Sequence, residues 1–248
     1  MTRRLCIALV LVASSAWGQV IDYNAPRQFG GALSAVDFSP NSNDGTIVGG
    51  VTGSTNAPVS GWASAEFDGT SGRLDILDSP VLTPSPNMTI SAWIYPRKGN
   101  IEIASKRSTF NTDNSFSFRV NADRNIFWNE GTSGGGAGPA VTFTSAVIAT
   151  STWTHVALSK SGTNVSLYID GVLTESSGAL NDFMYDSASK MMIGAVNASS
   201  PALLWDGKIT EVRIWSYAKT DFSDRTIRLI GTEAGLVGYW PLDGEIIE

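Results

Sequence analysis

The chain has 248 residues, about 1.7 domains at a prior of roughly 150 residues per domain, a length that one large β-sandwich also satisfies. Charged residues make up 16%, with 25 Gly, 10 Pro and a net charge of −6, which excludes a disordered polyampholyte and a collagen-like chain and predicts a packed core. An acidic balance with no basic run gives phosphate counterion release little to act on, so nucleic acid and anionic membrane surfaces are not expected as partners.

Residues 1–18 read as a secretory signal peptide. Arg3 and Arg4 precede an apolar run from Leu5 to Ala13, and Ala16 and Gly18 place small residues before Gln19. A membrane span needs about 20 apolar residues, more than this run supplies. Removing the leader takes away two of the 17 basic residues and the lone Cys6, moving the net charge to −8. The mature chain, 19–248, then has no cysteine, which excludes disulfides, thiolate catalysis and Cys-ligated zinc. A secreted protein is expected, with no membrane insertion.

From about residue 46 onward, short strands alternate with turns. Thr89–Tyr95 ends at Pro96; Phe116–Val120 alternates apolar and polar; Trp153–Leu158 does so with one slip. Val165–Ile169 meets Asp170-Gly171 and continues as Val172-Leu173, a hairpin signature. Ile209–Trp215 alternates cleanly, and a short helix is predicted from Thr220 or Asp221 toward Gly231. The Gly-rich stretch 131–138 is predicted as a loop between two strands. The fold class expected is all-β: an antiparallel two-sheet sandwich or jelly roll with one short C-terminal helix.

The motif order carries a resemblance. Ser39-Pro40-Asn41-Ser42-Asn43-Asp44-Gly45-Thr46, Ala65-Glu66-Phe67-Asp68-Gly69, Met88–Ile94, Thr152–Ala157, Leu167–Gly171 and Gly207–Trp215 together resemble the laminin-G-like family of concanavalin A-like jelly rolls. The resemblance implies a secreted glycan-binding or adhesive module, often containing calcium. Family members open with a Tyr-Trp-Pro-Leu-Asp strand before the Asn/Asp/Gly loop, whereas here Gly238–Asp243 stands at the C-terminus. A strand over 235–241 is therefore expected to close the sheet beside the N-terminal one, making 19–248 a single domain. A truncated second copy of the domain is the alternative.

Catalytic signatures are incomplete. Gly131-Thr132-Ser133-Gly134-Gly135 fits Gly-x-Ser-x-Gly, but no helix follows to form a nucleophile elbow. His155 is the one histidine and is expected to be structural. Jelly-roll glucanases use Glu-x-Asp-x-Glu, and here Glu66-Phe67-Asp68 is followed by Thr70 in place of the second glutamate. No catalytic residue is assigned.

Calcium prefers six to eight oxygens from carboxylates, amides and carbonyls. Asp37, Asn43 and Asp44, with Asp68 and Glu211 brought near by the fold, are the candidate ligands, against a loop of Asx turns bonded only to its own backbone. For sugar recognition, the resemblance puts Trp93, Trp153, Trp215 and Trp240 in the core. Trp128 and Asn129, beside the Gly-rich loop, Trp205 at a loop end, and Tyr185 in a long loop are then the candidate ligand-binding residues. Sequons occur at Asn87, Asn164 and Asn197, of which Asn164 is expected to be the most accessible. A non-catalytic binder of a glycan or glycosylated surface is expected, with a structural protein–protein module as the alternative and a glycan-cleaving enzyme behind both.

Overall fold

The computed structural model describes residues 33–109 and 112–243; the predicted leader lies outside them. In chain order the strands are β1 (Gly45–Val48), β2 (Val51–Ser54), β3 (Ser64–Asp68), β4 (Arg73–Ile76), β5 (Met88–Pro96), β6 (Ile101–Arg107), β7 (Asn114–Val120) and β8 (Ile126–Gly131). They continue as β9 (Ala137–Phe143), β10 (Thr154–Ser161), β11 (Asn164–Ile169), β12 (Val172–Ser177), β13 (Met191–Ile193), β14 (Asp206–Trp215) and β15 (Leu236–Trp240). Two antiparallel sheets result. One has the order β1-β4-β13-β6-β7-β8-β9; the other runs β12-β11-β10-β5-β14-β3-β2, with β15 also paired to β14.

Side-chain parity explains the sandwich. On β5, Met88, Ile90, Ala92 and Ile94 face inward, and on β7, Phe116, Phe118 and Val120 do the same. Each large apolar side chain so buried contributes about 1.5–3 kcal/mol of transfer free energy. The Asp170-Gly171 hairpin forms as predicted, both residues having positive φ (51° and 84°), the backbone that joins β11 to β12 in a two-residue turn.

The C-terminal strand lies beside β14. Its partners run from Val212–Trp240 to Trp215–Leu236, while the first half of β14 pairs with β3. A bulge at Glu211 (φ 55°) divides the two halves. The N-terminal segment reaches the other edge of β15, where the Phe38 N–H donates to the Tyr239 carbonyl at 2.8 Å. The predicted C-terminal helix is reduced to a 3₁₀ turn at Ser223–Thr226. Its N-cap is Phe222, with no side-chain cap, rather than the expected Thr220 or Asp221; Asp221 instead forms an Asx turn, its carboxylate accepting the Ser223 N–H at 2.8 Å. Phe222 is drawn down onto Tyr168 and His155, and Ile227 is already extended, so tertiary packing ends the helix after one turn.

Two buried lysines make three ion pairs. Lys160 on β10 lies 3.4 Å from Glu130 on β8, joining the two sheets. Lys106 is fully buried and holds Asp78 at 2.8 Å and Asp186 at 2.6 Å.

Candidate functional site

The predicted ligand residues do not form one surface. Trp128 is 1% exposed and stacks on Phe116 with centroids 5.3 Å apart, its indole N–H donating to Glu130. Trp205 is fully buried in the same core. Both are corrections: Trp128 lies inside β8 on the inward parity of Ile126, and Trp205 directly precedes β14 on the inward parity of Ile209. Asn129 does face outward from the seven-stranded sheet, yet it is buried and its amide is held by Asn114, Gly138 and Pro139. There it ties β8 to β9 where the register slips. Tyr185 alone of the four stays half-buried, its ring against Gly135 of the Gly-rich loop.

The five predicted metal ligands do not form one cluster either, although Asp37, Asn43 and Asp44 share a loop. The Asp37 carboxylate accepts the N–H groups of Ser39, Asn43 and Tyr239, each at 2.8 Å, together with the Ser39 hydroxyl and Asn43 amide. Asp44 accepts the Asp37 N–H at 2.9 Å. Asp68 accepts N–H groups from Thr70, Ser71 and Gly72, and these bonds hold its carboxyl far below the usual range. Glu211 takes Arg213, Arg228 and the Tyr239 hydroxyl. Among the described residues no three His, Cys, Asp or Glu side chains are placed to hold a metal ion. The carboxylates of Asp37, Asp68 and Glu211 are taken up by several protein donors each, which a cation would have to displace, so these three do not fit calcium ligation. The Asx-turn alternative describes this loop.

Catalytic geometry is equally absent from the candidate motifs. The Gly-x-Ser-x-Gly stretch is the hairpin loop between β8 and β9, closed by the Thr132 N–H to the Gly136 carbonyl. His155 is 2% exposed, packed between Trp93 and Phe222; burial, aided by Arg213, Arg225 and Lys219, pushes it down to about 3. Burial also raises Glu102 to about 7, against a hydrogen bond from Ser117 and the charges of Arg107 and Arg119. Glu102 lies on the outer face of the seven-stranded sheet, away from the Glu66-Phe67-Asp68 motif on β3.

An unpredicted surface remains. Of the seven tryptophans among the described residues, five are buried and two, Trp62 and Trp153, are half-buried. Trp153 precedes β10 by one residue, and the register that pairs Thr154 with Ile94 sets it opposite Tyr95. The two rings lie 5.5 Å apart, tilted by 55°, an arrangement favoured by ring quadrupoles. The Trp153 indole N–H donates to the Asn56 side chain at 2.8 Å, fixing the ring against the β2–β3 loop.

A row of polar side chains continues from these rings across the eight-stranded sheet. Tyr95 pairs with Lys208, Lys208 with Glu66, and Glu66 with Thr52. The Lys208 ammonium sits 4.9 Å from the Tyr95 ring centroid and 3.5 Å from Glu66. Arg97 bridges Glu66 and Asp206, the latter at 3.2 Å, and Lys98 adds a contact to Asp206 at 3.8 Å. Gly207 makes this approach possible: at φ 132° it presses against β5 so closely that a Cβ would lie 2.0 Å from the Tyr95 carbonyl.

Parity could have revealed the site. Met88, Ile90, Ala92 and Ile94 point inward, so Tyr95 must point outward, and the cross-strand partner of an outward residue shares its face. Trp153 was concealed by the break in alternation at the start of its strand and by the family resemblance, which placed it in the core.

Residues 68–222, more than half of the chain, match the family model for the laminin G domain of the concanavalin A-like lectin/glucanases superfamily. No curated protein matches the chain. Among solved structures, domain 4 of AbnA, a GH43 extracellular arabinanase from Geobacillus stearothermophilus in complex with arabinotriose, aligns with a TM-score of 0.55 at 19% identity, covering 82% of this chain and 98% of that one. A putative carbohydrate-binding protein from Bacteroides ovatus aligns at 0.55 and 20% identity over 73% of this chain and 51% of its own. The botulinum neurotoxin serotype G binding domain aligns at 0.56 and 14% identity, over 76% and 48%. The chain thus spans about half the length of the latter two, and at these identities the likeness is one of fold. With two jelly-roll sheets and a matching family model, the chain belongs to the concanavalin A-like lectin/glucanase superfamily.

Proposed function

We propose that this protein is a secreted, non-catalytic carbohydrate-binding module that stacks a sugar ring on Tyr95 and Trp153. The observation that carries this is the half-exposed pair of rings, held rigidly at 5.5 Å beside a row of charged hydrogen-bonding groups. Sugar sites combine an apolar face with a few convergent polar groups, and this sheet face supplies both. A structure described as a putative carbohydrate-binding protein and an arabinanase domain solved in complex with arabinotriose share the fold. Secretion is supported by the leader composition of residues 1–18; among the described residues, no helix is long and apolar enough to cross a membrane.

The absence of cleavage chemistry from the proposal follows from the carboxylates. A retaining glycosidase needs two carboxyl groups about 5 Å apart, one kept protonated. Glu66 is engaged by Arg97 and Lys208, and Asp68 by its own turn, so neither half of the Glu66-Asp68 motif is available as an acid or nucleophile. Affinity electrophoresis through arabinan, xylan, glucan and mannan provides the test. Retardation in at least one gel, reduced about tenfold in affinity by Trp153→Ala as expected for a lost stacking contact of roughly 1.4 kcal/mol, supports the proposal. Unaltered mobility in all four contradicts it.

A further inference from the structure

We infer that the Tyr95–Trp153 platform selects a neutral glycan with vicinal hydroxyls, which bond to the adjoining Arg97, Glu66, Lys208 and Asp206 side chains, and that it rejects uronate-bearing glycans. This inference rests on the proposal that the platform binds glycan.

Every cation beside the rings already has a carboxylate partner. Arg97, Lys98 and Lys208 provide three cations, and Glu66 and Asp206 two carboxylates. Every one of these cations lies within 4.0 Å of a carboxylate: Arg97 contacts both, Lys98 reaches Asp206 and Lys208 reaches Glu66. An incoming carboxylate would have to displace Glu66 or Asp206 from its counter-ion and leave that oxygen facing a like charge. A site built for an anion would instead present an arginine fork with no acid across it.

A hydroxyl group has no such conflict, because it donates and accepts at once. Two neighbouring hydroxyls of a sugar can therefore donate to a carboxylate and accept from the adjacent guanidinium or ammonium. The ladder alternates in that way, with Arg97 between Asp206 and Glu66, and Glu66 between Arg97 and Lys208. These groups can also be reached: the side chains of Arg97, Glu66 and Asp206 are 40%, 31% and 26% exposed. Thr52, exposed at the end of the same row, supplies one further hydroxyl. The Lys208 side chain is 9% exposed and held between the Tyr95 ring and Glu66, so the ladder meets the stacking surface without a gap.

Calorimetric titration separates the outcomes. The probes are the trisaccharides of α-1,5-arabinan, β-1,4-xylan, β-1,4-glucan and β-1,4-mannan, with trigalacturonate as the acidic counterpart. At least one neutral trisaccharide is expected to bind, with little change on raising salt, and trigalacturonate is expected not to bind. Glu66→Gln, which keeps the shape but removes the charge, should weaken the neutral ligand about tenfold, the scale of a hydrogen bond to a charged group, and should admit trigalacturonate by freeing Arg97 and Lys208. Tighter binding of trigalacturonate than of every neutral probe by the unaltered protein would overturn the inference while leaving the platform in place. A Glu66→Gln variant with unchanged affinity for the neutral sugar would also overturn it. Failure of all five probes would overturn the platform itself. Tryptophan emission that shifts with protein concentration alone, and loses that shift in Trp153→Phe, would assign the rings to a second copy of the chain and overturn the inference.

Discussion

Tyr95 and Trp153 hold their rings 5.5 Å apart on the outer face of the eight-stranded sheet, two residues along β5 from Trp93, whose indole N–H is capped by the Arg225 carbonyl at 2.8 Å. The segment after β14 covers that face from Trp215 to Trp93, as the burial of Phe222 against His155 and Tyr168 shows. Tyr95 and Trp153 lie past its edge and remain half-buried. The same strand therefore carries a covered aromatic and an uncovered one, and what separates them is where the C-terminal segment stops.

Trp128 and Trp153 should respond to truncation in opposite ways. Trp128→Ala removes a stacked core ring and a buried hydrogen bond to Glu130, so urea denaturation should show a loss of about 3–5 kcal/mol. Trp153→Ala removes a ring that is half exposed and should lose about 1 kcal/mol or less. An equal loss in the two variants would show that Trp153 is part of the core.

Much of the fold is legible in the residues, and less of the site. The inward parity of β5 and β7 and the Asp170-Gly171 turn are local, and local signals survive folding. Trp128 and Trp205 mislead because a loop-end position does not reveal whether the opposing sheet will cover it, and Phe116, the ring that covers Trp128, lies on the neighbouring strand. Asp37 misleads for a similar reason. Its nearest partners are local, but the Tyr239 N–H that completes its shell comes from the far end of the chain.

The saturation of Asp37 leads to a prediction about metal. Chelation should leave the thermal midpoint unchanged, because protein N–H and O–H groups already occupy the carboxylates of Asp37, Asp68 and Glu211. Asp37→Ala should cost about 3 kcal/mol, since it orphans buried backbone donors and unties β15 from the N-terminal loop. A midpoint that falls with chelator and recovers with calcium would contradict this assignment.

Two buried groups give the stability curve a defined shape. His155 titrates at about 3 in the fold against an ordinary 6.5, so the unfolded chain takes up that proton first and stability falls as pH drops below 6.5. Glu102 titrates at about 7 against 4.5, so the folded chain keeps a proton that the unfolded chain releases, and stability falls as pH rises from 4.5 through 7. Between 4.5 and 6.5 the two slopes oppose each other and this pair contributes almost no net pH dependence. Denaturant titrations at both ends of that window should show Glu102→Gln becoming more stable with rising pH, by about 1.4 kcal/mol per unit, and His155→Phe becoming less stable. Matching slopes in the unaltered protein and both variants would show that neither group titrates as its burial implies.

The most direct test of the glycan platform is the set of indole N–H resonances in a ¹H–¹⁵N spectrum, with Trp153 assigned by its loss in Trp153→Phe, as neutral trisaccharides are added. A ligand stacking on Tyr95 and Trp153 should shift the Trp153 indole, whose N–H bonds to Asn56, and leave the buried Trp128 and Trp205 indoles in place. A Trp153 resonance that does not move at saturating concentrations of any of the sugars would contradict the platform.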